Sequence, residues 1–305
     1  HLNILDGLNP FHKTILYTAR AGVTASMVTP GRQNVIGGQT AVVKHRGKTV
    51  DEMAILSPAG MKFSLGEGPK ETYGSKGRLP STRMGSAYVV RKALLDAGDF
   101  LAKRKKEKSK AKDKESGGNA GGRNLNLEVL ADVLQGKMTA FFECYRADDI
   151  MTALRLIDEF KLKAVLVGVT EGYKLADEIA LRKIPVILSP IGVGPRRMET
   201  QEASYLNASR LDKAGISVIV KADEALGMGQ LRELPLMASF AVKGGMDRNK
   251  ALRAITLTAA EVLGVSGRIG SLEAGKDADI VVFSGDPFHY KTRVIKVFID
   301  GRLVQ

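Results

Sequence analysis

The sequence predicts an α/β fold: a (β/α)8 TIM barrel whose first strand is missing from this chain, with a small appended C-terminal β-sheet. Three observations predict it. Short apolar runs alternate with helix-periodic stretches as far as Leu263, the pattern of parallel βαβ units. Beyond that point the chain turns Gly- and Asp-rich, and two apolar runs flank Asp300-Gly301. The length of 305 residues suits one barrel with a satellite sheet and buries a substantial core.

The strand candidates are Val23–Pro30, Thr40–His45, Met61–Glu67, Thr139–Tyr145, Ala164–Val169, Pro185–Pro190 and Ser217–Ala222. Seven parallel strands are one short of a closed barrel, which places the missing first strand upstream of His1. The Gly37-Gly38 pair between the first two candidates reads as a turn. A helix is expected from about Met84, and others over Ala147–Lys161, Glu171–Arg182, about Glu202–Lys213 and Asp247–Leu263. In the helix after Tyr145, residues Ile150, Leu154, Ile157 and Phe160 recur at three- and four-residue spacing and give one apolar face. Ile280–Phe283, Val294–Ile299 and Leu303-Val304 read as antiparallel strands, the last two joined at Asp300-Gly301. The expected organisation is a barrel over residues 1–265, with a flexible Lys-rich insertion at about 103–124, and a β-sandwich segment over 266–305.

Lys and Arg number 46 against 33 Asp and Glu, a formal charge of +13 that first suggests an anionic partner. Part of the excess is local. From Lys103 to Glu115 there are eight basic and three acidic residues, followed by Gly, Ser and Asn to Asn124. No aromatic residue interleaves with these lysines to stack on bases, so the run reads as a helix fraying into a loop, and nucleic acid is disfavoured as a partner. The single cysteine, Cys144, excludes an internal disulfide framework. The longest apolar runs, such as Ala164–Val169, are strand-sized, and none could span a membrane. No signal-like segment precedes the first helical pattern, and nothing in the chain names a compartment.

Several motifs then converge on one resemblance. The segment Gly267-Arg268-Ile269-Gly270-Ser271-Leu272-Glu273-Ala274-Gly275-Lys276-Asp277-Ala278-Asp279-Ile280-Val281, preceded by Ala251-Leu252-Arg253-Ala254-Ile255-Thr256, resembles the C-terminal signature of the amidohydrolase superfamily. Ala21-Gly22-Val23-Thr24, Pro30-Gly31 and Asn34-Val35-Ile36-Gly37-Gly38-Gln39 are similar to its imidazolonepropionase-like branch. So are Gly66-Glu67, Pro69-Lys70, Thr82-Arg83-Met84-Gly85, Arg146-Ala147-Asp148-Asp149-Ile150 and Thr170-Glu171-Gly172-Tyr173-Lys174. The resemblance covers almost the whole chain apart from the Lys-rich insertion. It implies a metal-dependent (β/α)8 hydrolase of cyclic amides or other C–N bonds. In such enzymes a divalent metal, usually zinc, acidifies a bound water while a carboxylate takes the proton.

Tested against that resemblance, the ligand positions are depleted. The family's first His-x-His motif is expected upstream of His1. Glu67 matches the family's glutamate after strand four and is a candidate metal ligand. Where strand five should end in His-x-His, the chain has Glu143-Cys144-Tyr145. Glu143 could hold a hard metal, but Cys144 points to the opposite face and reads as a buried apolar residue. Where strand six should carry Glu-His-Gly, the chain has Val167-Gly168-Val169. Asp223 matches the catalytic aspartate of strand eight, followed by Glu224-Ala225 instead of His-Pro. Of the four histidines, His12 and His289 lie away from the barrel mouth, and only His45 could approach it. Arg146, Lys174, Arg196 and Arg197 are candidate anion- or substrate-binding residues; for Arg146 the competing reading is a pair with Asp148 or Asp149.

The resulting expectation is an amidohydrolase-family protein with impaired catalysis, a pseudoenzyme binding a small molecule at the barrel mouth. It could form a homo-oligomer, or a hetero-oligomer with an active paralogue. The alternatives are an active hydrolase with a carboxylate-rich manganese or magnesium site, and a non-enzymatic binder of anions or nucleic acid. The family's zinc is thus replaced here by manganese, magnesium or no metal.

Overall fold

A computed structural model describes residues 2–112, 124–189, 198–222 and 230–304. Seven strands form one curled sheet in chain order: β1 (Ala25–Val28), β2 (Ile36–Lys44), β3 (Ala54–Ser64), β4 (Ala140–Cys144), β5 (Ala164–Gly168), β6 (Val186–Leu188) and β7 (Val218–Val220). Helices α1 (Lys13–Arg20), α2 (Val50–Met53), α3 (Glu67–Gly74), α4 (Arg83–Lys112), α5 (Leu125–Leu134) and α6 (Ala147–Phe160) accompany its first half. Helices α7 (Ala176–Leu181), α8 (Leu206–Lys213), α9 (Leu234–Lys243), α10 (Arg248–Ala254) and α11 (Leu257–Val262) follow. A second, antiparallel sheet joins β8 (Ile280–Phe283), β9 (Val294–Ile299) and β10 (Arg302–Leu303) in the order β10-β9-β8. The architecture is that of a (β/α) barrel with an appended C-terminal sheet.

The first three strands depart from the parallel pattern expected of them. β1 pairs antiparallel with β2, and β2 with β3; only β3 to β7 run parallel. The reason lies in the connections. Residues 29–35 and 45–53 are too short for the crossover a parallel pair needs, so the chain must fold back. The expected turn at Gly37-Gly38 is instead a bulge inside β2, where the ladder register shifts. Gly38 has φ +134, and a Cβ there would lie 2.8 Å from the carbonyl oxygen of Leu2. Its absence lets Gln39 N–H donate to that carbonyl at 2.7 Å.

Reversing β2 also moves His45. Val43 is registered with Ala54 at the start of β3, so His45 lies at the end of the sheet opposite the mouth it was expected to approach. There the buried ring takes hydrogen bonds of 2.7 Å with the Ser26 hydroxyl and of 2.7 Å with the Val23 carbonyl. Burial lowers its pKa, and the neutral ring is structural. His12 caps α1 through its Nδ1, and His289 stacks on Tyr290 beside the second sheet.

Alternation along the parallel strands divides the core. Met61, Phe63, Phe142, Cys144, Leu166, Leu188 and Val220 pack outward with Val90, Leu94, Ile150 and Leu154 of the helices. Phe141, Val165, Val167, Ile187 and Ile219 face the other way, against Met27, Ala259, Val262 and Leu263. α4 runs from the expected start to Lys112, and the rest of the Lys-rich insertion, from 113 to 123, lies outside the described residues. The stretch expected as one helix over Asp247–Leu263 breaks into α10 and α11 at Ile255-Thr256.

The second sheet turns at Asp300 (φ 53) and Gly301 (φ 70), the two positive angles of a type I′ hairpin. Val297 and Ile299 of β9 pack on Ala19 of α1. Lys44 at the end of β2 binds Asp277 at 2.7 Å, Asp279 at 3.0 Å and Asp300, tying the two sheets together.

Candidate functional site

The carboxyl ends of β3 to β7 are where a parallel barrel builds its site. On the inner face of β3 stands Lys62, flanked by the outward Met61 and Phe63. Its Nζ lies 2.6 Å from Glu143 Oε2 on β4 and donates to the Pro30 carbonyl at 2.8 Å. The Tyr145 hydroxyl donates to the other oxygen of Glu143 at 2.6 Å. Glu143 is 6% exposed. Burial alone would raise its pKa; the charges of Lys62 and Lys221, with the two hydrogen bonds, outweigh that and hold it below the usual carboxylate range. The carboxylate is therefore ionised and already neutralised by the protein.

β5 ends in Gly168 with φ +92, and a Cβ built there would lie 2.7 Å from the Tyr145 ring. Only glycine fits, so no side chain reaches the site from this position. Cys144 faces away into the outer core, where burial pushes its thiol pKa well up.

Glu67 belongs to a second cluster. It opens α3 directly after Gly66, whose φ of +88 and missing Cβ leave room for the Glu199 carboxylate. Glu199 accepts a hydrogen bond from the Glu67 N–H. Arg83 Nε donates to both oxygens of Asp149, at 3.1 and 3.0 Å. Its Nη2 lies 3.9 Å from a carboxylate oxygen of Glu67 and 3.9 Å from one of Glu199, with no hydrogen-bond partner of its own. One guanidinium thus serves three buried carboxylates. Burial, together with the charges of Glu67 and Asp149, pushes Glu199 up to about 7. Burial also raises Asp149, more than Arg83 lowers it.

A cleft of about 320 Å3 opens beside this cluster, lined by Arg146, Asp148, Glu171, Met198, Gln201 and Glu202. Glu171 accepts from the Ala147 N–H at 3.0 Å, supplying the first turn of α6 with the acceptor that its own N-cap side chain does not. Arg146 pairs with Asp148 at 3.2 Å, and Lys174 lies 3.3 Å from Glu171 and 3.8 Å from Glu202. Both cations are held by neighbouring acids. Asp223, Arg196 and Arg197 lie outside the described residues.

A divalent metal needs about three protein donors converging on one point. Among the described residues, no group of three His, Cys, Asp or Glu side chains is so placed. Glu143 is committed to Lys62 and Tyr145, and Glu67 faces Arg83. The donor set described does not fit the metal that the sequence resemblance implies. The structure brings into the site four residues that the sequence did not mark as site candidates: Lys62, Arg83, Asp149 and Glu199. Lys62 carried a signal, a charge at the alternate position of an otherwise apolar strand; Glu199 carried none.

A family profile described as amidohydrolase family matches residues 195–304. The crystal structure of an amidohydrolase from Thermotoga maritima MSB8 is 36% identical, with a TM-score of 0.91 over 99% of this chain and 76% of that one. An amidohydrolase, tasK, of Hapsidospora irregularis is 27% identical over 97% of this chain, and this chain spans 32% of its length. The imidazolonepropionase of Thermoplasma volcanium is 33% identical over 123 residues, 38% of this chain and 30% of that protein. The chain thus spans about a third or less of the curated relatives it matches.

Proposed function

The chain belongs to the amidohydrolase family, and we propose that its own metal-dependent hydrolysis of C–N bonds is impaired. The observation that carries this reading is the 2.6 Å pair of Lys62 with Glu143. A lysine ammonium occupies the coordination of a carboxylate at the strand-five position, where the sequence resemblance calls for a metal ligand. Tyr145 and Gly168 stand where it calls for imidazoles, and the Tyr145 ring leaves no room for a side chain at 168. Glu67 and Asp223 remain the candidates for a metal ligand and a catalytic carboxylate, and Arg146 and Lys174, with Arg196 and Arg197, for substrate binding. In this reading the site binds a small molecule without turning it over, and the protein serves as a subunit of a homo-oligomer or beside an active paralogue. Among the described residues no helix is long and apolar enough to cross a membrane.

The test is hydrolysis of cyclic amides and imides by the protein with zinc, manganese or magnesium supplied in turn. The expected result is no turnover above the metal-only blank. Turnover that disappears in Asp223→Asn would instead support the carboxylate-rich manganese or magnesium site.

A further inference from the structure

A second cleft, of about 860 Å3, lies at the other end of the barrel, within the range of small-molecule sites. It sits under the amino ends of β4 to β6 and beside the last turn of α11. Leu56, Ala59, Met138, Val165 and Leu263 supply apolar surface, and Lys137, Lys161, Lys163 and Lys183 line it with exposed ammonium groups. The acids of the cleft are taken. Asp158 is bound by Arg182 at 2.9 Å, and Glu261 lies 3.5 Å from Arg253. The ammonium groups of Lys161, Lys163 and Lys183 have no partner among the described residues. The cleft therefore combines apolar walls with uncompensated positive charge.

The backbone singles out two of these lysines. Eight helices of the described chain close with the same turn, an N–H bonded to the carbonyl five residues back and a left-handed residue just before it. In six of them that residue is glycine: Gly22, Gly77, Gly136, Gly215, Gly245 and Gly264. In the other two it is Lys161 (φ 53) and Lys183 (φ 52), and both line this cleft. Glycine is the low-strain choice at such a position, so each lysine is held there against backbone preference. Helix-dipole complementarity alone does not account for them, because the ends of α1, α5 and α8 use glycine at the same position. Lys163 lies beyond the helix altogether, in the run into β5.

We propose that the amino-end cleft binds an amphiphilic anion, an apolar body bearing a carboxylate, sulfonate or phosphate head, gripped by Lys161, Lys163 and Lys183. The apolar walls take the body, and the three unpaired ammonium groups take the head. This site is separate from the carboxyl-end residues and stands whether or not the protein is catalytic.

The test is fluorescence titration of the protein with 8-anilinonaphthalene-1-sulfonate, repeated on K161G/K183G and on K163S. Glycine suits both left-handed positions, so K161G/K183G is expected to melt no lower than the parent. One saturable site is expected, displaced by decanoate, with affinity falling at least fivefold in each variant. The uncharged analogue N-phenyl-1-naphthylamine is expected to bind the parent more weakly than the sulfonate. Absence of saturable binding, unchanged affinity in a folded K161G/K183G, or equal binding of the uncharged analogue would each overturn the proposal.

Discussion

Lys62 Nζ and Glu143 Oε2 meet at 2.6 Å on adjacent parallel strands, both side chains almost fully buried. Their partners close the arrangement: the Pro30 carbonyl on the ammonium and the Tyr145 hydroxyl on the carboxylate. A charge pair of this kind acts as one unit, and its members cannot be removed singly without leaving the other stranded. Either Lys62→Met or Glu143→Gln should therefore cost about 3–5 kcal/mol in urea unfolding. The double variant Lys62→Met with Glu143→Leu should cost less than the sum of the singles, because no buried charge remains. Additive losses would show that the two residues act independently.

Glu199 gives the protein a pH dependence of definite sign. Its folded pKa, about 7, lies above its ordinary value of 4.5, so the folded state binds the proton more tightly. Stability contributed by the protonated form is present below pH 4.5 and is lost as pH rises through 7, by up to about 3 kcal/mol. Glu199→Gln keeps an oxygen to accept from the Glu67 N–H and carries no charge. It should melt higher than the parent at pH 8 and equally at pH 4. A variant that shows the parent's full pH slope would rule out Glu199 as its origin.

Tyr145 and Gly168 are expected to be coupled. A methyl group at 168 meets the Tyr145 ring at 2.7 Å and also occupies a left-handed backbone. Gly168→Ala should cost about 3 kcal/mol, part overpacking and part backbone strain. In a Tyr145→Ala background the overpacking part disappears and the loss should shrink to about half. An unchanged loss would mean that backbone strain alone excludes a side chain there.

Cys144 should be inert in the native protein. It is fully buried and its thiol is held protonated by burial and neighbouring carboxylates. Iodoacetamide at pH 8 should label it only at the rate of global unfolding, and rapid native labelling would contradict the outward packing of β4.

The features that could be read from sequence were those fixed by local chemistry. Asp300-Gly301 demands two positive φ values and so announced its hairpin. The two-residue period separated Cys144 from Glu143 and Tyr145, which is how β4 packs. Strand direction was not legible from periodicity, which is the same read either way. With strands read as Val23–Pro30, Thr40–His45 and Met61–Glu67, the short links 29–35 and 45–53 that make β1 to β3 fold back were hidden. Lys62 with Glu143, and Arg83 with Asp149, Glu67 and Glu199, are contacts between distant segments. The resemblance singles out Glu67 and Glu143, and Lys62 stands out as a charge in an apolar strand, but only the barrel shows which of these groups meet.

The central claim, that protein charges replace a metal at the strand-five position, is tested most directly by metal content. The protein is loaded with zinc or manganese, separated from free ion by gel filtration and assayed by inductively coupled plasma mass spectrometry. The account predicts far less than one ion per chain for both metals, with no change in Glu143→Gln. One tightly held ion per chain, lost in Glu143→Gln, would contradict it.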